Sequence, residues 1–273
     1  MLKHGLIGFF DSGYGGLTVL KEVQALLPQY DYLYLGDNKR APYGEKTQQE
    51  VYDFTWESIQ YLFLQGCELV ILACNTASAK ALRRIQQNDL MAFPDKRVLG
   101  VIRPSAEIVG TYSKTNQLVV LGTRGTILSN TYLDEFNVHS PQTHVHQYAC
   151  PSWVPIIESG KHTSKEGLNL IKEDLDAIIK LYPQADVILL GCTHYPIIQD
   201  FIQTYLPSKI KVVSQGEIVA ASLKDYLNRH DWLQKKLTQH ASSKYLTTGN
   251  PADFEKQAKD ILRLDIKVEQ IKL

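Results

Sequence analysis

Two stretches carry side chains suited to moving a proton. The apolar run from Leu69 to Ala73 stops at Cys74 and gives way to Asn75, Thr76 and Ser78. A second run, Val187 to Gly191, stops at Cys192 and gives way to Thr193, His194 and Tyr195, with the two cysteines 118 positions apart (192 − 74 = 118). An unpaired cysteine most often behaves as a small buried hydrophobe. A cysteine where a strand ends and a helix begins is different, because the helix N-terminus lowers a thiol pKa from about 8.5 and favours thiolate. Free backbone N–H groups at such a turn can also hold a carboxylate. Two such thiols across one cleft would supply a base on one face of a carbon and an acid on the other. Cys67 sits at a helix–strand junction beside Glu68 and reads as structural; Cys150 ends a strand before Pro151, where it could line a cleft, though a structural role is the ordinary reading.

The acids come next. Asp11 closes the first apolar run and Asp37 follows the second, which places both at the carboxyl edge of a sheet. Each could equally be a turn or cap aspartate. Glu158 follows Pro155 and reads either as a site carboxylate or as a solvated loop residue. His194 stands two residues after Cys192, where it could poise a thiolate–imidazolium pair or simply be a hydrogen-bonded structural histidine. The pair Cys192 and His194 admits a rival reading as a cysteine hydrolase, in which Cys74 has no role. A two-domain binding protein that clamps an amino acid is a third, non-catalytic reading. The turn from Gly13 to Gly16 is neither a dinucleotide fingerprint nor a Walker loop, so no nucleotide is implied. His139, His144 and His146 lack a cysteine or carboxylate that would complete a metal site, and no metal is expected.

These residues need a scaffold that presents strand ends. Apolar runs predict strands at 6–10, 32–35, 69–73, 98–102, 118–121, 145–149, 187–190, 211–213, 244–247 and 266–268. Helical spacing follows from Leu17 to Leu27, from Thr47 to a stop at Gly66, over 78–87, from Leu168 to Ile179, over 218–227 and over 254–262. Thr47 and Glu50 have the spacing of a capping box. Alternating strands and helices indicate an α/β protein with mostly parallel sheets. Strand, glycine turn and helix recur at Asp11 and Gly122, as strand, cysteine and helix do at Cys74 and Cys192. That repetition predicts two similar α/β domains. Ligands bind at the carboxyl ends of such strands, so the active site is expected in the cleft between them.

The chain has 273 residues, 44% hydrophobic and 21% charged, which suits a globular protein with a sizeable core. Its 29 basic and 29 acidic residues balance, which argues against nucleic acid or a membrane surface as the main partner. No apolar run reaches the roughly 20 residues of a membrane span, and the run from Leu6 to Phe10 is too short for a signal peptide. A cytoplasmic protein with reduced cysteines is the expectation.

Taken together, Asp11 to Gly16, Gly36-Asp37, Pro42 to Gly44, Ala73 to Thr76, Gly100 to Ile102, Gly122-Thr123, Ala149 to Pro151, Gly191 to Pro196 and Thr248-Gly249 resemble glutamate racemase, of the aspartate/glutamate racemase superfamily. The resemblance runs in order along nearly the whole chain. It implies an isomerase that interconverts L- and D-glutamate without a cofactor and supplies D-glutamate for bacterial peptidoglycan and cell-wall formation. It implies that Cys74 and Cys192 are the two bases, with Cys74 taking the proton from D-glutamate and Cys192 from L-glutamate. Asp11, Asp37, Glu158 and His194 match positions that assist the thiols. Asp11, Ser12, Tyr43, Gly44, Asn75, Thr76, Thr193 and His194 match substrate-contact positions. The domains it implies are 1–98 with 214–273 on the Cys74 side and 99–213 on the Cys192 side. A homodimer is compatible with it, and a racemase for aspartate or another amino acid is the nearest alternative. Two stretches depart from the pattern: Arg103 and Ser105, where an acidic residue and a glycine are usual, and Ser214-Gln215, where Asp-Ser is common.

Overall fold

The computed structural model describes residues 5–273. Its strands are β1 (Leu6–Asp11), β2 (Tyr32–Gly36), β3 (Cys67–Leu72), β4 (Arg97–Gly100), β5 (Gln117–Gly122), β6 (His144–Ala149), β7 (Val187–Leu190), β8 (Lys211–Val213), β9 (Ser243–Thr247) and β10 (Val268–Gln270). They form a six-stranded sheet in the order β10-β9-β2-β1-β3-β4 and a four-stranded sheet in the order β6-β5-β7-β8. Every neighbouring pair is parallel. The inner order 2-1-3-4 of the first sheet recurs as 6-5-7-8 in the second, so the repetition read from the sequence is a repeated topology. β9 and β10 extend only the first sheet.

Helices cover both faces of each sheet, which is why the strands are almost continuously apolar. In β3, Leu69 and Ile71 pack into a cluster with the helices Leu17–Leu26 and Gly216–Arg229. Val70 and Leu72 point the other way, and Cys74 beyond the strand end joins them under the helix Gln48–Leu64. β7 repeats this. Ile188 and Leu190, with Cys192, pack against the helix Lys165–Leu181, while Val187 and Leu189 face Tyr132 and Phe136. Burying each such Leu or Ile contributes about 1.5–3 kcal/mol. The strand ends, and the cysteines on them, are therefore fixed by well-packed cores.

Local chemistry sets most boundaries. Thr47 and Glu50 close the expected capping box in both directions, and Gly66 takes φ 94° just beyond the end of that helix. Other boundaries move. The helix expected over 78–87 is two helices, Asn75–Lys80 and Leu82–Gln87, and the first begins directly after Cys74. Cys74 is itself the cap: its backbone is extended and its sulfur accepts from the Ala77 N–H. The strand expected over 98–102 is β4 at 97–100, with a helix starting at Ile102. The last strand is β10 at 268–270. Helices at Thr131–His139, Trp153–Glu158 and Gln199–Tyr205 had no clear apolar period to announce them.

Residue 98 lies inside β4, whose pairing from Leu69↔Arg97 to Leu72↔Gly100 holds it in the first sheet. The chain leaves that sheet after Gly100 and comes back after β8, when the helix Gly216–Arg229 packs along Leu17–Leu26. Residues 1–4 of the expected first domain lie outside the described residues.

Candidate active site

In each sheet a central strand has the next two strands of the sequence on opposite sides: β1 lies between β2 and β3, and β5 between β6 and β7. Loops leaving such a strand pair diverge, and the crevice they open at the carboxyl ends is where open parallel sheets bind ligands. Asp11 ends β1 and Ser12 follows it, beside Cys74, which follows β3. Thr123 follows β5 beside Cys192, which follows β7.

The two crevices are one. Ser12, Tyr43, Gly44, Cys74, Asn75 and Thr76 from the first side line a cavity of about 80 Å³ with Thr123, Glu158, Cys192, Thr193 and His194 from the second. The sides close tightly. A Cβ placed on Gly44 would lie 2.8 Å from Thr123 Cβ, so only glycine lets this lip reach the opposite loop. Thr76 Oγ1 stands 3.0 Å from Thr123 Oγ1 and 3.1 Å from Thr126 Oγ1, which bridges the two sheets. Lys80 Nζ donates to the Lys46 carbonyl at 2.6 Å and ties the helix behind Cys74 to the same lip.

Paired thiols on one cavity, each at the end of an equivalent strand, raise the question of relatives. The family model described as Asp/Glu/Hydantoin racemase matches residues 17–223. The chain belongs to this racemase family. It is 40% identical over 271 residues to the glutamate racemase of Roseobacter denitrificans, with 96% of this chain and 98% of that one covered. The crystal structure of a glutamate racemase isoform from Bacillus anthracis matches with a TM-score of 0.86 at 32% identity, covering 99% of this chain and 98% of that one. The Francisella tularensis glutamate racemase in complex with D-glutamate matches with a TM-score of 0.86 at 29% identity, covering 98% of both chains.

The two thiols of this racemase-family site stand in different surroundings. Cys74 is buried and donates toward Ser12 Oγ at 3.6 Å, while its sulfur accepts from the Ala77 N–H at 3.5 Å. Burial, with the nearby Asp11 carboxylate adding to it, pushes its pKa up to about 12. This reverses the expectation that the helix N-terminus would favour thiolate there. That helix has only six residues, and its one N–H contact is weaker than the desolvation. Cys192 has His194 beside it. Burial works against a charge on His194, but its contacts with Cys192 and Glu158 outweigh that and carry its pKa up to about 10. Nε2 lies 3.1 Å from Glu158 Oε1, close enough for charge attraction, though off the line of a well-formed hydrogen bond. A protonated imidazole beside a sulfur is an arrangement that stabilises thiolate.

Asp11 and Asp37 stand behind the cavity wall. Asp11 is fully buried, accepts from the Gly13 N–H at 2.8 Å and from Thr193 Oγ1 at 3.2 Å, and burial raises its pKa against the pull of His194. It therefore reaches the cavity through Thr193. Asp37 accepts from Arg40 Nε at 2.6 Å, Tyr43 OH at 2.5 Å and Thr248 Oγ1 at 2.6 Å, and reaches the cavity through Tyr43. Glu158 and His194 come together at the edge of the cavity, and Gln257 Nε2 donates to the Glu158 carbonyl at 2.9 Å.

Cys67 and Cys150 are buried away from the cavity, and burial raises both thiols. Among the described residues no cluster of three His, Cys, Asp or Glu side chains could hold a metal ion. His146 instead stacks on Tyr182 and bonds Gln117, while His139 faces Glu135. Thr123, read from the sequence only as part of the Gly122-Thr123 turn, is also a site residue, and its signal was its place as a helix cap directly after a central strand. Sequence reasoning missed Gly15, where a Cβ would lie 2.6 Å from both His194 Nδ1 and Thr193 Oγ1. Among the described residues no helix is long and apolar enough to cross a membrane.

Proposed function

We propose that this chain is a glutamate racemase that inverts the α-carbon by two-base proton transfer between Cys74 and Cys192. The observation that carries the reading is the cavity shared by the two thiols, each delivered by the equivalent strand of a repeated fold. The curated relatives named glutamate racemase support the substrate.

An α-proton is weakly acidic, so its removal needs a base held in contact and a charge-stabilising site that excludes water. With L-glutamate bound, Cys192 as thiolate removes the α-proton and the Cys74 S–H delivers its own proton to the opposite face. The products are D-glutamate, a Cys192 thiol and a Cys74 thiolate; the same steps run backwards from D-glutamate. The surroundings suit this assignment. Buried Cys74 keeps its proton when the cavity is empty, and Cys192 has imidazolium from His194 at hand. Glu158 holds His194 charged, Asp11 orients Thr193, and Asp37 orients Tyr43 at the lip. Ser12, Gly44, Asn75, Thr76 and Thr193 form the substrate contacts.

The proposal extends to supply of D-glutamate for peptidoglycan by a cytoplasmic homodimer made of two units, 1–100 with 214–273 and 101–213. Sedimentation of the purified chain tests the dimer. The activity is tested by optical rotation of L- and D-glutamate with no cofactor added, beside L- and D-aspartate. Both glutamate solutions should decay to zero rotation. A larger kcat/KM for aspartate would replace glutamate as the substrate.

A further inference from the structure

Asn75 lines the cavity from the Cys74 side, and its amide is held by residues of two other segments, one of which is anchored in turn on a third. Asn75 Nδ2 donates to Gln215 Oε1 at 2.7 Å, and Asn75 Oδ1 accepts from Tyr132 OH at 2.6 Å. Gln215 Nε2 in turn reaches the Val101 carbonyl at 3.0 Å, Ser105 Oγ at 2.8 Å and Tyr132 OH at 2.9 Å. All of these side chains are buried.

The polarity of this network has one source. A backbone carbonyl can only accept, so the edge of Gln215 that meets Val101 must be its NH₂. Ser105 agrees, because its hydroxyl already donates to the same carbonyl at 2.9 Å and can only accept from Gln215. Two Nε2 hydrogens are thus shared among three acceptors. The Gln215 oxygen is then turned toward Asn75, which must answer with its own NH₂. Tyr132 closes the ring by accepting from Gln215 and donating to Asn75 Oδ1. A flipped Asn75 would set two carbonyl oxygens against each other in a buried site, at a cost no water can relieve. One Nδ2–H of Asn75 is left with no acceptor among the described residues.

We propose that Gln215 is a positioning residue that fixes the orientation of the Asn75 amide, so that the cavity is offered an N–H suited to a substrate carboxylate. The proposal rests on the racemase reading for its substrate. It goes beyond that reading in assigning selection of the amide face to Gln215, at the second crossing between the sheets, through Val101 at the first.

The test compares Gln215→Met, Asn75→Ala and the double variant in the full chain. It reads Kd for glutamate by calorimetry and KM and kcat by optical rotation. Gln215→Met should raise Kd and KM about tenfold or more, the scale of one hydrogen bond to a charged group, with a smaller change in kcat. In the Asn75→Ala background the same substitution should change Kd less than about twofold, because the group it orients is gone. Should Gln215→Met fail to fold, Tyr132→Phe keeps the ring and removes one arm of the network, and should raise Kd in the same direction. The proposal is overturned by a folded Gln215→Met or Tyr132→Phe whose Kd stays within about twofold, or by effects of Gln215→Met and Asn75→Ala that multiply. An unsubstituted chain that binds glutamate without inverting it would defeat the racemase reading and leave the Kd comparison able to decide on Gln215.

Discussion

His194, buried against the sulfur of Cys192, forms an ion pair with the partly exposed Glu158, its Nε2 3.1 Å from Glu158 Oε1. The pKa of His194 rises to about 10, well above its ordinary 6.5. The imidazolium form is therefore favoured in the folded chain. Its contribution to stability is whole below about pH 6.5 and is lost as pH climbs through about 10. The alkaline limb of kcat/KM for L-glutamate should fall over the same upper range. Glu158→Gln removes the carboxylate charge and should move that limb down by about one pH unit or more. A limb that stays in place would mean that Glu158 does not hold the charge on His194.

Gly15 is a steric gauge of the same corner. A Cβ there would sit 2.6 Å from His194 Nδ1 and Thr193 Oγ1, and His194 has little room to retreat because it is buried and packs edge-on against Tyr14. Gly15→Ala should lower kcat about tenfold or more, since small displacements of catalytic groups are costly, while the fold is retained. Equal kcat in a variant of unchanged melting temperature would show that the corner can yield.

Asp37 links the cavity lip to the end of β9. Its carboxylate is fully buried and takes donors from Tyr43, Arg40 and Thr248. Thr248→Val keeps the shape of the side chain and deletes one donor. The expected loss is about 1.5–3 kcal/mol of unfolding free energy in urea, the usual value for a hydrogen bond to a charged group. A loss below about 0.5 kcal/mol, no more than an exposed surface substitution, would mean that the carboxylate finds water instead.

Much of this scaffold was legible in the sequence, for a physical reason. β1, β3, β5 and β7 are buried on both faces, so they appear as unbroken apolar runs, and their repetition is the repeated topology. The cysteines could be found because they interrupt such runs. Thr47 and Glu50 were legible because a capping box is local. The helix start at Asn75 was missed because Asn75, Thr76, Ala77 and Ser78 have no apolar period. The direction of the Cys74 shift was missed because burial depends on the helix Gln48–Leu64 and on Asp11, both distant in sequence. The ring of Asn75, Tyr132 and Gln215 spans 140 positions and exists only once both sheets have formed. No local pattern encodes it.

The division of labour between the thiols is tested most directly by α-proton exchange in single variants. Cys74→Ala, incubated with each enantiomer of glutamate in D₂O, is read by proton NMR and optical rotation. Cys192 alone should still exchange the α-proton of L-glutamate and return deuterium to the same face. L-Glutamate should gain α-deuterium without inverting, D-glutamate should gain none, and racemisation should slow by about a thousandfold or more. Racemisation of both enantiomers at the unsubstituted rate by Cys74→Ala would contradict that division of labour.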